Sequence, residues 1–481
     1  MQKKFVTNLA FLLTINLFIK PFWILGIDRA VQNTVGAQHY GSYSALFNFS
    51  FLFNILLDLG ITNYNNRNIA RHRHLLQKHV SGIIVLRLLL AVVFFIISFT
   101  TGWIMGYSMQ QLSLLGVLLL NQSLISFILY LRSNIAGLQL FKTDSMISVL
   151  DRLIMIIICA VLLWGHITHE VFKIEWFVWA QTAAYVITAL ITLLIVRSKA
   201  NLSKLSWNPH FYLVILKQSL PFAVLILLMT FYNRIDSVML ERILPDGAQQ
   251  AGIYAQAYRL LDAANMIAFL FSGLLLPMFS HMIKHKQPLE DLVELATSFI
   301  AIPAIIVISF SVFFSTELMG LLYHAHVSES AQVYAIIMSC FLAISSVYIF
   351  GTLLTANGNL RQLNYVAFAG MIMNVLLNFY LIPKYKALGA ALASLITQYI
   401  LAGAQILLAH RIFKFHYKWW LFTRYAFFVL ISFMLFAYAH DYAGHWIMKS
   451  AVAISMCLAL ALLLQLIKPI ALTRLIKSEE E

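Results

Sequence analysis

The fold class this chain predicts is an all-α polytopic membrane protein. It should have about fourteen transmembrane helices, in two parallel-repeat six-helix lobes plus two C-terminal helices. Three observations predict it. Fourteen apolar segments follow one another from Phe5 to Leu466 with only short polar breaks. Each is long enough to cross a hydrocarbon core of roughly 30 Å as a helix. Hydrophobic residues make up 61% of the 481 and charged residues 11%, where a soluble domain carries about 25% charged. Finally, the lysines and arginines fall on alternate breaks, as a chain weaving through a bilayer requires.

Span 1 (5–27) follows Met-Gln-Lys-Lys and looks like a signal peptide. Its apolar run continues to Ile27 with Lys20 inside it, and no Ala-x-Ala site follows, so a retained helix is expected. Span 2 (39–61) opens on Gly41-Ser42-Tyr43 and ends at the basic break of Arg67, Arg71, Arg73 and Lys78. Spans 3 (80–103) and 4 (112–136) lead to Arg132 and Lys142, and spans 5 (145–164) and 6 (174–196) to Arg197, Lys199 and Lys204. Span 7 (212–240) carries Arg234 and Asp236 near its far end, and span 8 (251–281) runs from Gly252-Ile253-Tyr254 to Lys284 and Lys286. Spans 9 (292–314) and 10 (331–356) are nearly free of interior charge. Spans 11 (362–382) and 12 (387–410) end at Arg411, Lys414 and Lys418. Spans 13 (419–439) and 14 (446–467) precede Lys468, Arg474 and Lys477.

Sorted by side, 22 lysines and arginines lie on one face of the membrane and 7 on the other, with Lys20, Arg87, Arg152 and Arg259 inside spans. The lysine-rich side is expected to be cytoplasmic, with both termini on it. Trp103, Trp164, Trp176, Trp207, Trp419, Trp420 and Trp446 sit near span ends, as an interfacial belt requires. The net charge of +14 thus has a membrane explanation, and nucleic acid is not expected as a partner.

An internal repeat is visible. Gly41-Ser-Tyr43 recurs as Gly252-Ile-Tyr254, 211 residues later, and Gly137 before Lys142 is echoed by Gly358 before Arg361 at an offset of 221. Six spans separate the copies, an even number, so both halves insert with the same orientation. The expected organisation is an N-lobe at 1–200, a C-lobe at 201–415, and spans 13 and 14 with a tail at 416–481.

Ionisable residues inside spans are costly and usually face a cavity or a partner. Here they concentrate on spans 1, 2, 7 and 8, which suggests one polar cavity. Arg234 and Asp236, two residues apart, lie about 200° apart around a helix and cannot pair with each other. Arg259 and Asp262 share a face and are able to neutralise each other. Asp58 and Arg87 lie near the lysine-rich ends of their helices, where snorkelling to headgroups is expected. Lys20 and Arg234 lie inside their spans, where snorkelling is harder, and are the first candidates for anion binding, followed by Arg29 and Arg259. An arginine fork suits a pair of phosphate oxygens.

Other chemistry finds no support. His72, His74 and His79, like His324 and His326, read as solvated loop residues. Cys159, Cys340 and Cys457 have no close spacing, so neither a disulfide framework nor a metal site is expected. No P-loop and no HExxH occurs in the sequence, and no catalytic activity is expected. The longest break on the lysine-poor side, about 16 residues, is too short for the catalytic outer loop of a polysaccharide polymerase or ligase.

One segment is more specific. Asn374-Val-Leu-Leu-Asn378-Phe-Tyr-Leu-Ile-Pro383-Lys-Tyr-Lys386-Ala-Leu-Gly389-Ala-Ala-Leu-Ala-Ser394 resembles the helix 11–12 signature of Wzx-type oligosaccharide flippases, of the multidrug/oligosaccharidyl-lipid/polysaccharide exporter superfamily. Asn374 and Asn378 should share a helix face, Pro383 should end span 11, and Gly389 with its small neighbours should let span 12 pack closely. The family has Gly where Lys386 stands. Tyr40-Gly-Ser-Tyr43 through Leu57-Asp58-Leu-Gly60, and Asn233-Arg-Ile-Asp236-Ser-Val-Met-Leu240, resemble its helices 2 and 7. The resemblance implies a flippase in a bacterial inner membrane, moving undecaprenyl-diphosphate-linked oligosaccharide between leaflets by alternating access, for O-antigen, capsule or exopolysaccharide. Lys20, Arg29, Arg234, Asp236, Arg259 and Asp262 would line its cavity. It implies a monomer with no cofactor, leaves open a coupling ion (H+ or Na+), and allows a polymerase and glycosyltransferases as partners. A lipid II flippase or a multidrug exporter of the same superfamily is the alternative.

Overall fold

The computed structural model describes residues 16, 18–19, 21–62, 75–138, 140–165, 170–199, 209–415 and 419–466. Helix α1 passes through a π-helical stretch, Trp23–Asp28, and continues in regular form to residue 35. Gly36 then takes a φ of 78° and breaks the run Arg29–Leu52, so α2 occupies 37–52 and tightens into a 3-10 turn, Asn54–Leu57. A positive φ of this kind suits glycine alone among ordinary residues. Helix α1 is thus longer than span 1, because the polar Gln32, Asn33 and Thr34 continue a helix that hydropathy ends at Ile27.

There follow α3 (Leu75–Ile104), α4 (Met109–Gly137), α5 (Phe141–Trp164), α6 (Ile174–Lys199), α7 (Pro209–Ile243) and α8 (Gly247–Lys284). Then come α9 (Glu290–Phe313), a short helix Ser315–Leu322, and α10 (Val327–Ala356). The run Leu360–Phe413 is two helices, α11 (360–385) and α12 (387–413), broken at Lys386. Helices α13 (Trp419–Asp441) and α14 (Trp446–Leu463) complete the order. Among the described residues there is no strand, and eleven helices are long and apolar enough to cross a membrane, α11 and α12 counting there as one.

By contact the chain divides into two compact units, Met1–Ala255 and Gln256–Glu481. In the first, α2 packs on α4, α6 and α7, and α4 on α6. The periodicity is that of a lipid-solvated protein: on α3, Leu88, Val92 and Ile96 recur every fourth residue and are exposed, while Leu86 and Phe94 are buried. Unlike in water, the apolar stripe faces the solvent, and small or polar residues hold the helices together. In the second unit α10 packs along α11 and α12, where Gly370 admits Leu401 and Gly351 admits Gln405. Helices α13 and α14 cover α9, with Phe428, Phe436, Ala453 and Cys457 in one cluster with Ile302, Ile305 and Phe314. The Ser298 and Tyr425 hydroxyls meet at 2.7 Å.

Candidate functional site

The carboxylates inside the first unit are not bare. Asp28, 3% exposed, accepts the Tyr40 hydroxyl at 2.9 and 2.8 Å through its two oxygens. Asp236, 1% exposed, accepts the Tyr254 hydroxyl at 2.8 Å. In each case the carboxylate lies in the last two turns of one helix, before its end, and the next helix in the chain supplies the tyrosine. A buried carboxylate requires such donors, since leaving one unsatisfied costs several kcal/mol. The guanidinium of Arg234 lies 5.4 Å from the centre of the Phe51 ring on α2, a cation–π geometry. Asp236 and Arg234 therefore find partners on other helices, as their spacing requires. Arg29, half-buried on α1, has a buried Nε with no hydrogen-bond partner. Lys20 lies outside the described residues.

Other charges are structural. Arg87 and Asp58 do not snorkel. They form an ion pair with Arg87 4% exposed, and Arg87 also donates to the Ser126 carbonyl and hydroxyl at 2.9 Å each. Its guanidinium lies 4.9 Å from the Tyr130 ring centre. The expectation failed because sequence depth does not reveal that α4 closes over Arg87. Arg152 faces Trp23 at 5.5 Å and Asp151 at 3.8 Å. In the second unit Arg259 and Asp262 form the expected pair at 3.9 Å.

Next to these groups the two repeats meet. A Cβ on Gly41 would overlap the backbone of Ala248 and Gly252, and a Cβ on Gly252 would overlap the backbone of Ala37. The contact is reciprocal: Ala37 and Gly41 correspond to Ala248 and Gly252 at the repeat offset of 211. Each segment is a small-x-x-x-small motif, which lets helix backbones approach closely. Gln32 donates to the Gly252 carbonyl at 3.1 Å across the crossing. Beside it, Gln111 donates to Glu241 at 2.8 Å, Arg242 pairs with Glu241 at 2.8 Å, and the Arg242 guanidinium lies 3.7 Å from the Tyr107 ring centre. Burial, with Glu241 second, pushes the Tyr107 hydroxyl up to about 12. The sequence carried a signal for this crossing beyond Gly41 and Tyr43. Gly36-Ala37-Gln38 recurs as Gly247-Ala248-Gln249 at the same offset.

The motif at 374–394 folds as a tight turn between α11 and α12. Asn378 donates to Asn374 at 3.1 Å, and both are fully buried. Pro383 does not end α11. The helix continues past it to Lys386, which takes a φ of 53° and a ψ of −131°. A proline blocks bonding to the preceding turn without forbidding helical torsions after it. Gly389 is buried and a Cβ there would overlap the backbone of Leu381 and Ile382. Among the described residues no cluster of metal-ligating side chains occurs, and Cys159, Cys340 and Cys457 are buried and in no disulfide.

Comparison with curated proteins finds no match. The structure is similar to that of the lipid II flippase MurJ in an inward closed conformation, at 16% identity and a TM-score of 0.69, covering 94% of this chain and 98% of that one. It is also similar to an inward-facing multidrug resistance MATE family transporter of the MOP superfamily, at 12% identity and a TM-score of 0.62, covering 85% and 98%. A third likeness is to a MOP superfamily transporter from Pyrococcus furiosus, at 14% identity and a TM-score of 0.59, covering 85% and 95%. At such identities the likeness establishes the fold. The family described as polysaccharide biosynthesis protein matches residues 5–283, more than half of the chain. This chain therefore belongs to the polysaccharide biosynthesis protein family, as a multi-pass membrane protein with the fold of the MOP superfamily transporters.

Proposed function

We propose that this protein is a flippase that carries an oligosaccharide on a polyprenyl diphosphate from the inner to the outer leaflet of a bacterial inner membrane, with its lysine-rich side cytoplasmic. Family membership supports the pathway, and the superfamily fold supports transport. The observation that carries the cargo is the guanidinium of Arg234, which reaches from α7 to lie 5.4 Å from the centre of the Phe51 ring on α2. An aromatic face helps orient an arginine, and a guanidinium is charged at every accessible pH, with a planar fork that matches a pair of phosphate oxygens. Arg29, with its buried Nε, and Lys20, placed by sequence alone, are the other cations proposed to act on the diphosphate in the course of the cycle. Arg259 is held by Asp262 and is the weaker candidate. No residue is assigned a catalytic role, and a coupling ion, H+ or Na+, stays open.

The test is surface polysaccharide export by Arg234→Gln, Arg234→Lys and Lys20→Gln proteins, with membrane abundance measured in parallel. Arg234→Gln is expected to abolish export at normal abundance. Arg234→Lys should retain part of it, since charge survives without the bidentate fork. Normal export by both Gln variants at normal abundance would sink the cationic-site reading.

A further inference from the structure

We infer that the crossing of residues 37–41 with residues 248–252, latched by Gln111, Glu241, Arg242 and Tyr107, is the gate that closes the outer mouth of this transporter. The inference rests on the proposed transport function and sidedness, and it assigns the moving contact to particular residues.

Position is the first argument. The crossing joins the start of α2 to the start of α8, and the latch joins the end of α7 to the turn between α3 and α4 and the start of α4. By the alternation of helices all of these lie at the lysine-poor end. They tie a segment of the first repeat to a segment of the second. Alternating access between two repeats requires a contact of this kind, made in one state and broken in the other.

Composition is the second argument. At the crossing, backbone meets backbone between Gly41 and Ala248 and between Gly252 and Ala37. Such a contact excludes water and lipid without interlocked side chains, so it separates without unpicking a packed core. The latch is polar and small in number. Gln111 is held by a capping box, its Oε1 accepting from the Ser108 amide at 3.0 Å, while its Nε2 donates to Glu241 at 2.8 Å. Arg242 leans on the Tyr107 ring and donates to the Met105 carbonyl at 3.4 Å. Adjacent in sequence, Glu241 and Arg242 are released together when the end of α7 withdraws. Static helix pairs elsewhere differ: α13 and α14 hold α9 through a cluster of large aromatic and branched side chains.

The experiment reads gate opening directly. Gln32, 2% exposed, lies under the crossing and donates to the Gly252 carbonyl. In a background with Cys159, Cys340 and Cys457 replaced by alanine, Gln32→Cys is reacted with an impermeant thiol reagent from the outer face. Labelling should be slow, and roughly tenfold or more faster when Arg242→Gln is added, the worth of one charge-assisted hydrogen bond in such an equilibrium. Arg242→Lys should be intermediate. Ser328→Cys serves as a folding and abundance control whose rate should not change. Separately, Gln111→Cys with Glu241→Cys, bridged by a short cleavable bis-thiosulfonate, should stop polysaccharide export, and a reductant should restore it.

An unchanged labelling rate at Gln32→Cys in the Arg242 variants, with the control intact, overturns the gate. So does full export by the bridged protein. Labelling requires no cargo. A faster rate in Arg242→Gln without any link to polysaccharide would uphold the gate and remove the proposed substrate instead.

Discussion

Asp58→Ala should destabilise the protein by about 3–4 kcal/mol, because it strands Arg87. Arg87 is 4% exposed and Asp58 26% exposed, and their pair is supported by the Thr62 hydroxyl at 2.6 Å from Arg87 and by two bonds from Arg87 to Ser126. Breaking a buried pair by removing one partner costs roughly 3–5 kcal/mol. The partial exposure of Asp58 moves the figure toward the lower end. Asp58 also accepts the Gly60 and Thr62 amides at 3.1 Å each, which alanine leaves without their acceptor. Asp58→Asn keeps a side-chain acceptor there and should cost about 1 kcal/mol less. The double variant Asp58→Ala/Arg87→Met removes both charges and should recover most of the loss, since an ion pair replaced by apolar groups is often neutral. The assay is the apparent melting temperature of the purified protein in detergent, followed by intrinsic tryptophan fluorescence and by size-exclusion profile. The coupling is the departure from additivity in the cycle. Single variants that melt with the parent would refute the reasoning. A double variant less stable than both singles would refute it equally.

Lys386→Gly should stabilise the turn by about 1 kcal/mol. Relief of a φ of 53° with a ψ of −131° is worth roughly 1–3 kcal/mol against roughly 0.5–1 for the added chain entropy; a lower melting temperature would contradict it. Tyr40→Phe and Tyr254→Phe should each cost about 1–3 kcal/mol, as each removes a donor to a buried carboxylate. A cost at one site alone would show that Asp28 and Asp236 are not equivalent. For topology, Gln77→Cys should resist and Ser328→Cys should accept an impermeant thiol reagent in cells whose outer face is accessible. The reverse pattern would invert the sidedness.

The fold was legible because the bilayer writes it into hydropathy: apolar runs of span length and lysine-rich breaks suffice to order the helices. What hydropathy missed is polar. It ended the first helix at Ile27, although α1 runs on to residue 35 through glutamine, asparagine and threonine that a helix tolerates and a lipid does not. The turn at 374–394 was readable to the level of Asn374 facing Asn378 and Gly389 packing, since both follow from helix spacing and residue size. The break point was not, because proline announces a kink nearby without fixing the residue that absorbs it, and Lys386 gives no sign of its left-handed torsion. At the candidate site, spacing alone showed that Arg234 and Asp236 must look to different helices. It could not name Phe51 or Tyr254, which are partners by tertiary proximity. The snorkelling expected for Asp58 and Arg87 failed for the same reason: depth along one helix says nothing of the neighbour that covers it.

The central claim, that this chain moves a diphosphate-linked oligosaccharide across a bilayer, is tested most directly in vesicles. Purified protein is reconstituted with a fluorescently tagged polyprenyl-diphosphate oligosaccharide in both leaflets, and an impermeant quencher is added outside without ATP. Protein-dependent quenching should proceed past the outer-leaflet half toward completion. It should be slowed strongly by Arg234→Gln and weak for a monophosphate-linked analogue. Quenching that stops at half with and without the protein, for a preparation shown to be folded and inserted, would contradict the account.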